Sequence, residues 1–384
     1  MQLSTSRITS VDLLRGLIMV IMALDHTRDF IHEEAFTGNP LDLATTTPIL
    51  FFTRWITHFC APLFVFLAGV SAWLSGRGKP VGEQSGLLIK RGLWLIFVEV
   101  VIMTLILTWD PGFHVIFLAV IWAIGCSMVI MGLLLRGGWW LLLAIGLLIF
   151  LGHNVTDYLP ALQSNPVMGV LLTSPGALIP LPAGYNILLA YTILPWTAVM
   201  LLGYCAGRLY ELEVVRRKRM LVTLGCSAIV LFIVLRFINA YGDPVAWKGQ
   251  ASPFYTFLSF INTTKYPPSL SFLCMTLGPG LLLLAVFENK SNPFLSVYGR
   301  VPFFYYVLHF FLVRVISVII FFGSGYTLAD SGTFPFRFRP ADMGGSLEVV
   351  YIIWIGVVLM LYMPCRWFDG YKQRHKEKRW LRYL

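Results

Sequence analysis

The residues best equipped for chemistry gather near the start of the chain, in the stretch LDHTRDFIH (24–32). Asp25, His26, Arg28 and Asp29 lie within two helical turns, and Arg15, Met22, Asp25/His26 and Asp29 recur at spacings that share one helical stripe. An imidazole flanked by carboxylates and a guanidinium can accept a proton, orient a base or grip an anion. The plainer alternative is an interhelical ion-pair network at a membrane boundary. A second pair, Arg54 and His58 in FFTRWITHFCAPLFVFLAG (51–69), stands four residues apart and so on one face. Pro62 follows one turn later and is expected to kink the helix around a cavity. Two histidines on neighbouring helices, each beside a charged partner, point to a shared site.

Further along, three segments repeat the polar theme: GHNVTDY with His153, Asn154 and Asp157, RFINAYGDPVAW with Arg236, Asn239 and Asp243, and FINTTKYPPSL with Lys265 and Tyr266. Each alone reads as a cap, a turn or an interfacial anchor. Together they describe a polar, aromatic-rimmed mouth suited to a hydroxyl- or amine-rich molecule such as a sugar. In YGRVPFFYYVLHFFLVR, Arg300 marks the start of a helix and His309 lies about two and a half turns deeper. His309 reads either as an interhelical hydrogen-bonder or as part of a passage leading in from that end. The six cysteines lie far apart, mostly in apolar stretches, with no CxxC or mixed Cys/His spacing. Neither a disulfide framework nor a metal site is expected.

These residues sit in elements that are overwhelmingly apolar. Of 384 residues 57% are hydrophobic and 12% charged, about half the charged share of a soluble domain, and the mean hydropathy is +0.75. Disorder is excluded, because it needs low hydrophobicity and high charge. The apolar runs predict an all-α, polytopic integral membrane bundle of about ten transmembrane helices. They fall at about 11–31, 49–75, 87–108, 114–135, 138–152, 187–207, 219–239, 269–287, 301–322 and 347–367. The proline-rich stretch 160–182 reads as a re-entrant or surface segment. The whole chain, 1–384, reads as a single membrane domain ending in a basic tail, 366–384.

The net charge of +10 would suit nucleic acid only if Lys and Arg clustered on a polar face. Instead they punctuate apolar runs. With both termini inside, 21 of the 29 Lys and Arg face the cytoplasm, as the positive-inside rule demands. The long connections at 153–186, 240–268 and 323–346 then face outward, and the expected partner is the lipid bilayer rather than nucleic acid.

RITSVDLLRGLIMVIMALDH followed by FTRWITHFCAPLFVFLAG resembles the catalytic membrane domain of the heparan-α-glucosaminide N-acetyltransferase family in its short bacterial form. RFINAYGDP, TKYPPSLSFLCMTLGP and YGRVPFFYYVLH resemble later motifs of those bacterial members. The resemblance implies a ten-helix core, an acyl-CoA donor entering from the cytoplasm and a sugar acceptor on the opposite side. It departs from lysosomal members at His26, where they carry asparagine.

Acyl transfer needs a base for the acceptor proton, a partner orienting that base and a positive group for the thioester oxyanion. His26 is assigned as base or as transiently acylated nucleophile, with Asp25 orienting it and His58 as second candidate. Arg28 or Arg54 would hold the oxyanion or grip the acceptor. Arg236, Asn239, Asp243, Lys265, Tyr266, His153, Asn154 and Asp157 would line the acceptor mouth. Arg15, Arg300 and His309 are the candidates for the acyl-CoA co-substrate, and no metal is expected. The rival reading is a proton-coupled secondary transporter, in which the same charges form a relay, although the chain lacks the repeated halves common in transporters. A bacterial cytoplasmic (inner) membrane and a possible homodimer complete the expectation.

Overall fold

A computed structural model describes residues 8–332, 335–378 and 380–381. Arg7, Arg379 and Arg382, counted above among the cytoplasmic basic residues, lie outside the described residues. The chain folds as an all-α membrane bundle, with seven stretches long and apolar enough to cross a membrane. One of these, Val120–Tyr158, turns at Gly138, whose φ of +80° is open to glycine, and so yields two helices. Two further helices escape the length-and-composition test. The first carries too many charges, and the other, at Leu194–Gly207, has only 14 residues. Each of the ten expected spans therefore coincides with helix.

The first span is α1 (Thr9–Ile31). The second is broken into α2 (Pro48–Thr57) and α3 (Cys60–Gly76). The break lies at His58–Phe59, because Pro62 has no N–H to offer the carbonyl four residues back. Thr47 caps α2 by accepting from the Leu50 N–H at 3.3 Å. The third span runs through α4 (Val81–Phe97), a π-helical turn at Val98–Met103 and α5 (Thr104–Thr108). Glu99, isolated in the sequence, is fully buried in that turn.

The fourth and sixth spans correct the sequence reading at their starts. Residues expected to be helical from 114 and from 187 instead form strands β1 (Val115–Leu118) and, in part, β3 (Asn186–Leu189). The proline-rich stretch supplies β2 (Ala177–Pro180), and the sheet order is β1-β3-β2, parallel then antiparallel. The runs VIFL and NILL are short, apolar and preceded by turn residues, so periodicity alone does not separate them from a helix start. The helices proper begin at Val120 and Leu194, as α6 (Val120–Leu134), α7 (Gly138–Gly152) and α8 (Leu194–Gly207).

The remaining helices are α9 (Val214–Ile238), α10 (Pro253–Ile261), α11 (Leu270–Phe287), α12 (Pro293–Arg300), α13 (Pro302–Gly323) and α14 (Leu347–Arg374). Helix α1 is the hub, packed against α2, α3 and α11 to α14, with Leu14, Ile18 and Met19 almost wholly buried. Elsewhere, close crossings rest on glycine. A Cβ at Gly69 of α3 would strike the backbone of Met200 and Tyr204 in α8, and one at Gly203 of α8 would strike Phe66. Small residues at such crossings let backbones approach in lipid, where van der Waals packing replaces the hydrophobic effect. The hub helix thus sets residues 24–31 among α2, α13 and α14.

Candidate functional site

Helix α1 delivers Asp25, His26, Arg28 and Asp29 to the outer end of the bundle. Consecutive residues point about 100° apart around a helix, so these four cannot all meet one partner. Asp25 points toward α2, where the Arg54 guanidinium donates to its Oδ1. Arg28 lies 3.5 Å from the same oxygen, and the Lys265 ammonium, from the loop between α10 and α11, lies 4.0 Å from Oδ2. Asp25 is thus a buried carboxylate ringed by three cations. Arg28 also pairs with Asp29 at 2.5 Å.

His26 faces the other way. Its Nδ1 lies 3.6 Å from Asp29 Oδ2, its ring centroid 4.0 Å from Phe310 and 5.4 Å from His309 of α13. The carboxylate beside His26 is therefore Asp29, correcting the expectation of Asp25. Asp29, three residues on, shares the helical face of His26, while an Asp25 oxygen stands farther off, within 4.8 Å of a His26 ring nitrogen. His309, expected about two and a half turns deeper than Arg300, lies here beside His26. Its Nδ1 is 3.0 Å from the Tyr305 carbonyl, which can only accept, so Nδ1 carries the proton. Its Nε2 is buried without a partner.

His58 sits at the α2–α3 break, wholly buried against Phe272, with neither ring nitrogen hydrogen-bonded. His32, at the end of α1, is held below the usual imidazole pKa by burial and then by Arg28. Here it accepts from the Glu34 N–H at 3.2 Å, while its carbonyl takes a 2.7 Å bond from Arg339.

Two cavities meet at this cluster. An inner one of about 230 Å³ is lined by Asp25, His26 and Tyr306 among mostly apolar residues. An outer one of about 610 Å³ is lined by Arg28, His58, Asn262, Thr263 and Thr264. Asp29, Ala35, Arg54, Lys265 and Tyr266 border both. The Lys265 ammonium lies 5.2 Å over the Tyr266 ring, and Tyr266 meets Tyr191 edge-on at 5.5 Å.

Asp25, His26 and Asp29 could each bring one ligand atom within 4.8 Å of the others, as a metal ion would need. Their carboxylates already face Arg28, Arg54 and Lys265, so the charge that would attract a cation is largely neutralised.

Of the eight residues expected at the acceptor mouth, only Lys265 and Tyr266 border a cavity of this site. The other six build the loops behind it. Arg236 donates to the carbonyls of Phe260, Val245, Ser259 and Asn262. Asp243 accepts from Thr264 and Ser269, and Asn239 exchanges two bonds with Trp247. The His153 ring lies 2.8 Å from the Pro268 carbonyl, while Asn154 accepts from the Leu270 N–H and donates to Asp157. Long polar side chains near a helix end satisfy loop carbonyls as readily as they line a pocket, and residue type alone does not separate the two. The sequence reading omitted Tyr191 and Tyr306, for which aromatic residues in an apolar run give no distinguishing signal.

Arg15 and Arg300 lie toward the other end of the bundle, with Arg15 roughly 16 Å along α1 from His26. Arg15 donates to the Gly299 carbonyl and to Ser71 Oγ at 2.5 Å, tying α12 and α3 to α1. Arg300 pairs with Asp369 at 2.8 Å. Both are engaged by the protein itself.

Set beside known proteins, residues 7–237 match the family described as heparan-alpha-glucosaminide N-acetyltransferase, catalytic. No curated relative matches the chain.

Proposed function

The chain belongs to the heparan-alpha-glucosaminide N-acetyltransferase catalytic family, and from that premise we propose that it moves an acetyl or related acyl group from cytoplasmic acyl-CoA to an amine or hydroxyl of an extracytoplasmic glycan. Family membership makes it an acetyltransferase-type membrane enzyme. The observation that carries the finer reading is the junction of two cavities at Asp29, Arg54 and Lys265, with His26 on the inner side of it beside Asp29. A group-transfer enzyme needs two substrates to meet at one acid–base centre.

In this reading Asp29 holds the proton on His26 Nδ1, leaving Nε2 to take the proton of the attacking amine or hydroxyl. The new C–N or C–O bond forms as the thioester carbonyl becomes an oxyanion. Arg54 or Lys265 steadies that charge in a site shielded from bulk water. The oxyanion collapses, the C–S bond breaks, and the leaving thiolate takes the proton held on His26 Nε2 to depart as free CoA thiol, which returns His26 to its starting form. His58, unpartnered on the outer cavity, is the second candidate base. A transiently acylated His26 is the covalent variant of the same chemistry. Arg236, Asn239, Asp243, His153, Asn154 and Asp157 act as positioning residues for the loop that carries Lys265 and Tyr266. A bacterial inner membrane and a homodimeric assembly suit this reading.

The test is thiol release from acetyl-CoA by purified protein in nanodiscs supplied with amino sugars. His26→Ala should lower the rate by about 10²–10⁴-fold while the protein still elutes as a folded species. If His26→Ala and His58→Ala both kept full activity, the site would be misassigned. Counterflow of a small polar solute without thiol release would favour the transporter instead.

A further inference from the structure

We propose that the inner cavity is an acyl-chain chamber that admits chains longer than acetyl. This rests on the acyltransferase reading above and concerns which thioester the site prefers. The two cavities share Arg54, Lys265 and Tyr266 but differ in chemistry on either side of them. The outer one offers Arg28, Asn262, Thr263 and Thr264, groups that pair with hydroxyls and amines. The inner one is walled by Phe117, Ala119, Val120, Leu188, Ala190 and Phe310. Its polar groups, among them Asp25, His26, Arg54 and Lys265, lie toward the reaction centre, and sugar hydroxyls turned to the apolar wall would lack partners there, which costs free energy that an alkyl chain does not incur. With the reaction centre at the boundary, the acceptor belongs outside and the acyl tail inside.

Size points the same way. The inner cavity holds about 230 Å³, whereas a water molecule claims about 30 Å³ of liquid and a methyl or methylene group is of similar bulk. An acetyl group fills one such unit beyond its carbonyl. Space for on the order of six remains. The wall is built by the small sheet and the start of α6, where Ala119 and Ala190 present the smallest side chains next to bulky neighbours. Enlarging either one shortens the chamber without adding or removing a charge.

The test is kcat/KM and calorimetric binding for acetyl-, butyryl-, hexanoyl- and octanoyl-CoA in nanodiscs, with glucosamine as the probe acceptor. Each methylene that finds apolar wall should raise kcat/KM by up to about fourfold, until the chamber is full. Ala119→Leu and Ala190→Leu should each lower the hexanoyl-to-acetyl ratio by at least about tenfold, with KM for glucosamine the smaller change. Turnover of acetyl-CoA alone, or variants that shift only the KM for glucosamine, would overturn the chamber while leaving the acyltransferase reading in place. If no CoA thioester binds or turns over, the acyltransferase reading itself falls, and the chamber with it.

Discussion

Asp25 is the counter-charge that Arg28, Arg54 and Lys265 share. Removing one partner of a buried ionic group strands the others, at a cost of about 3–5 kcal/mol. Asp25→Ala should therefore yield protein that aggregates or melts well below the parent in detergent thermal-shift measurements. Asp29 is different, because its side chain is 39% exposed and, in the proposed mechanism, it orients His26. Asp29→Asn should fold like the parent yet lose about tenfold or more in kcat, so the pair separates a scaffold carboxylate from a catalytic one. The sequence already placed these residues together, since i,i+3 and i,i+4 spacing is a property of any helix. Which carboxylate serves His26 followed from the same rule, but adjacency along the chain obscured it. His309 was legible as a buried histidine, whereas its place beside His26 depends on how α13 crosses α1, which no local pattern encodes.

At the level of elements, the long apolar runs were readable because a lipid-spanning helix needs about 20 such residues. The three short strands were not. VIFL and NILL satisfy helix and strand templates alike, and only pairing with each other decides between them. Those strands carry Phe117 and Leu188 in the wall of the inner cavity. The glycine crossing between α3 and α8 is the element-level point most open to test. Gly203→Leu must displace the Phe66 backbone and should lower the melting midpoint by several degrees or prevent folding. At Gly152, where a Cβ meets nothing within 4 Å, Gly152→Ala should melt within a degree or two of the parent. Equal effects at both sites would mean the close crossing is not what holds α3 to α8.

For the whole molecule, the uneven distribution of Lys and Arg predicts orientation, and in the proposed function orientation decides which substrate reaches which cavity. The N-in, C-in arrangement expects Arg136, in the turn between α6 and α7, on the cytoplasmic side and Lys248, before α10, on the other. In a Cys226→Ser background, Arg136→Cys should be labelled by a membrane-impermeant maleimide only after the membrane is opened. Lys248→Cys should be labelled in intact cells, and the reverse pattern would invert the topology. Once the topological charges are set aside, what remains is the cluster around Asp25, His26 and Arg54. In the proposed function this cluster joins a donor from one side to an acceptor from the other. The most direct measurement uses proteoliposomes of known orientation, with acetyl-CoA confined to the cytoplasmic-side compartment and an amino sugar to the opposite one. Free CoA thiol is expected with the donor, acylated sugar with the acceptor, and neither with His26→Ala. Acylated sugar found only where both substrates share one compartment, or solute movement with no thiol released, would contradict it.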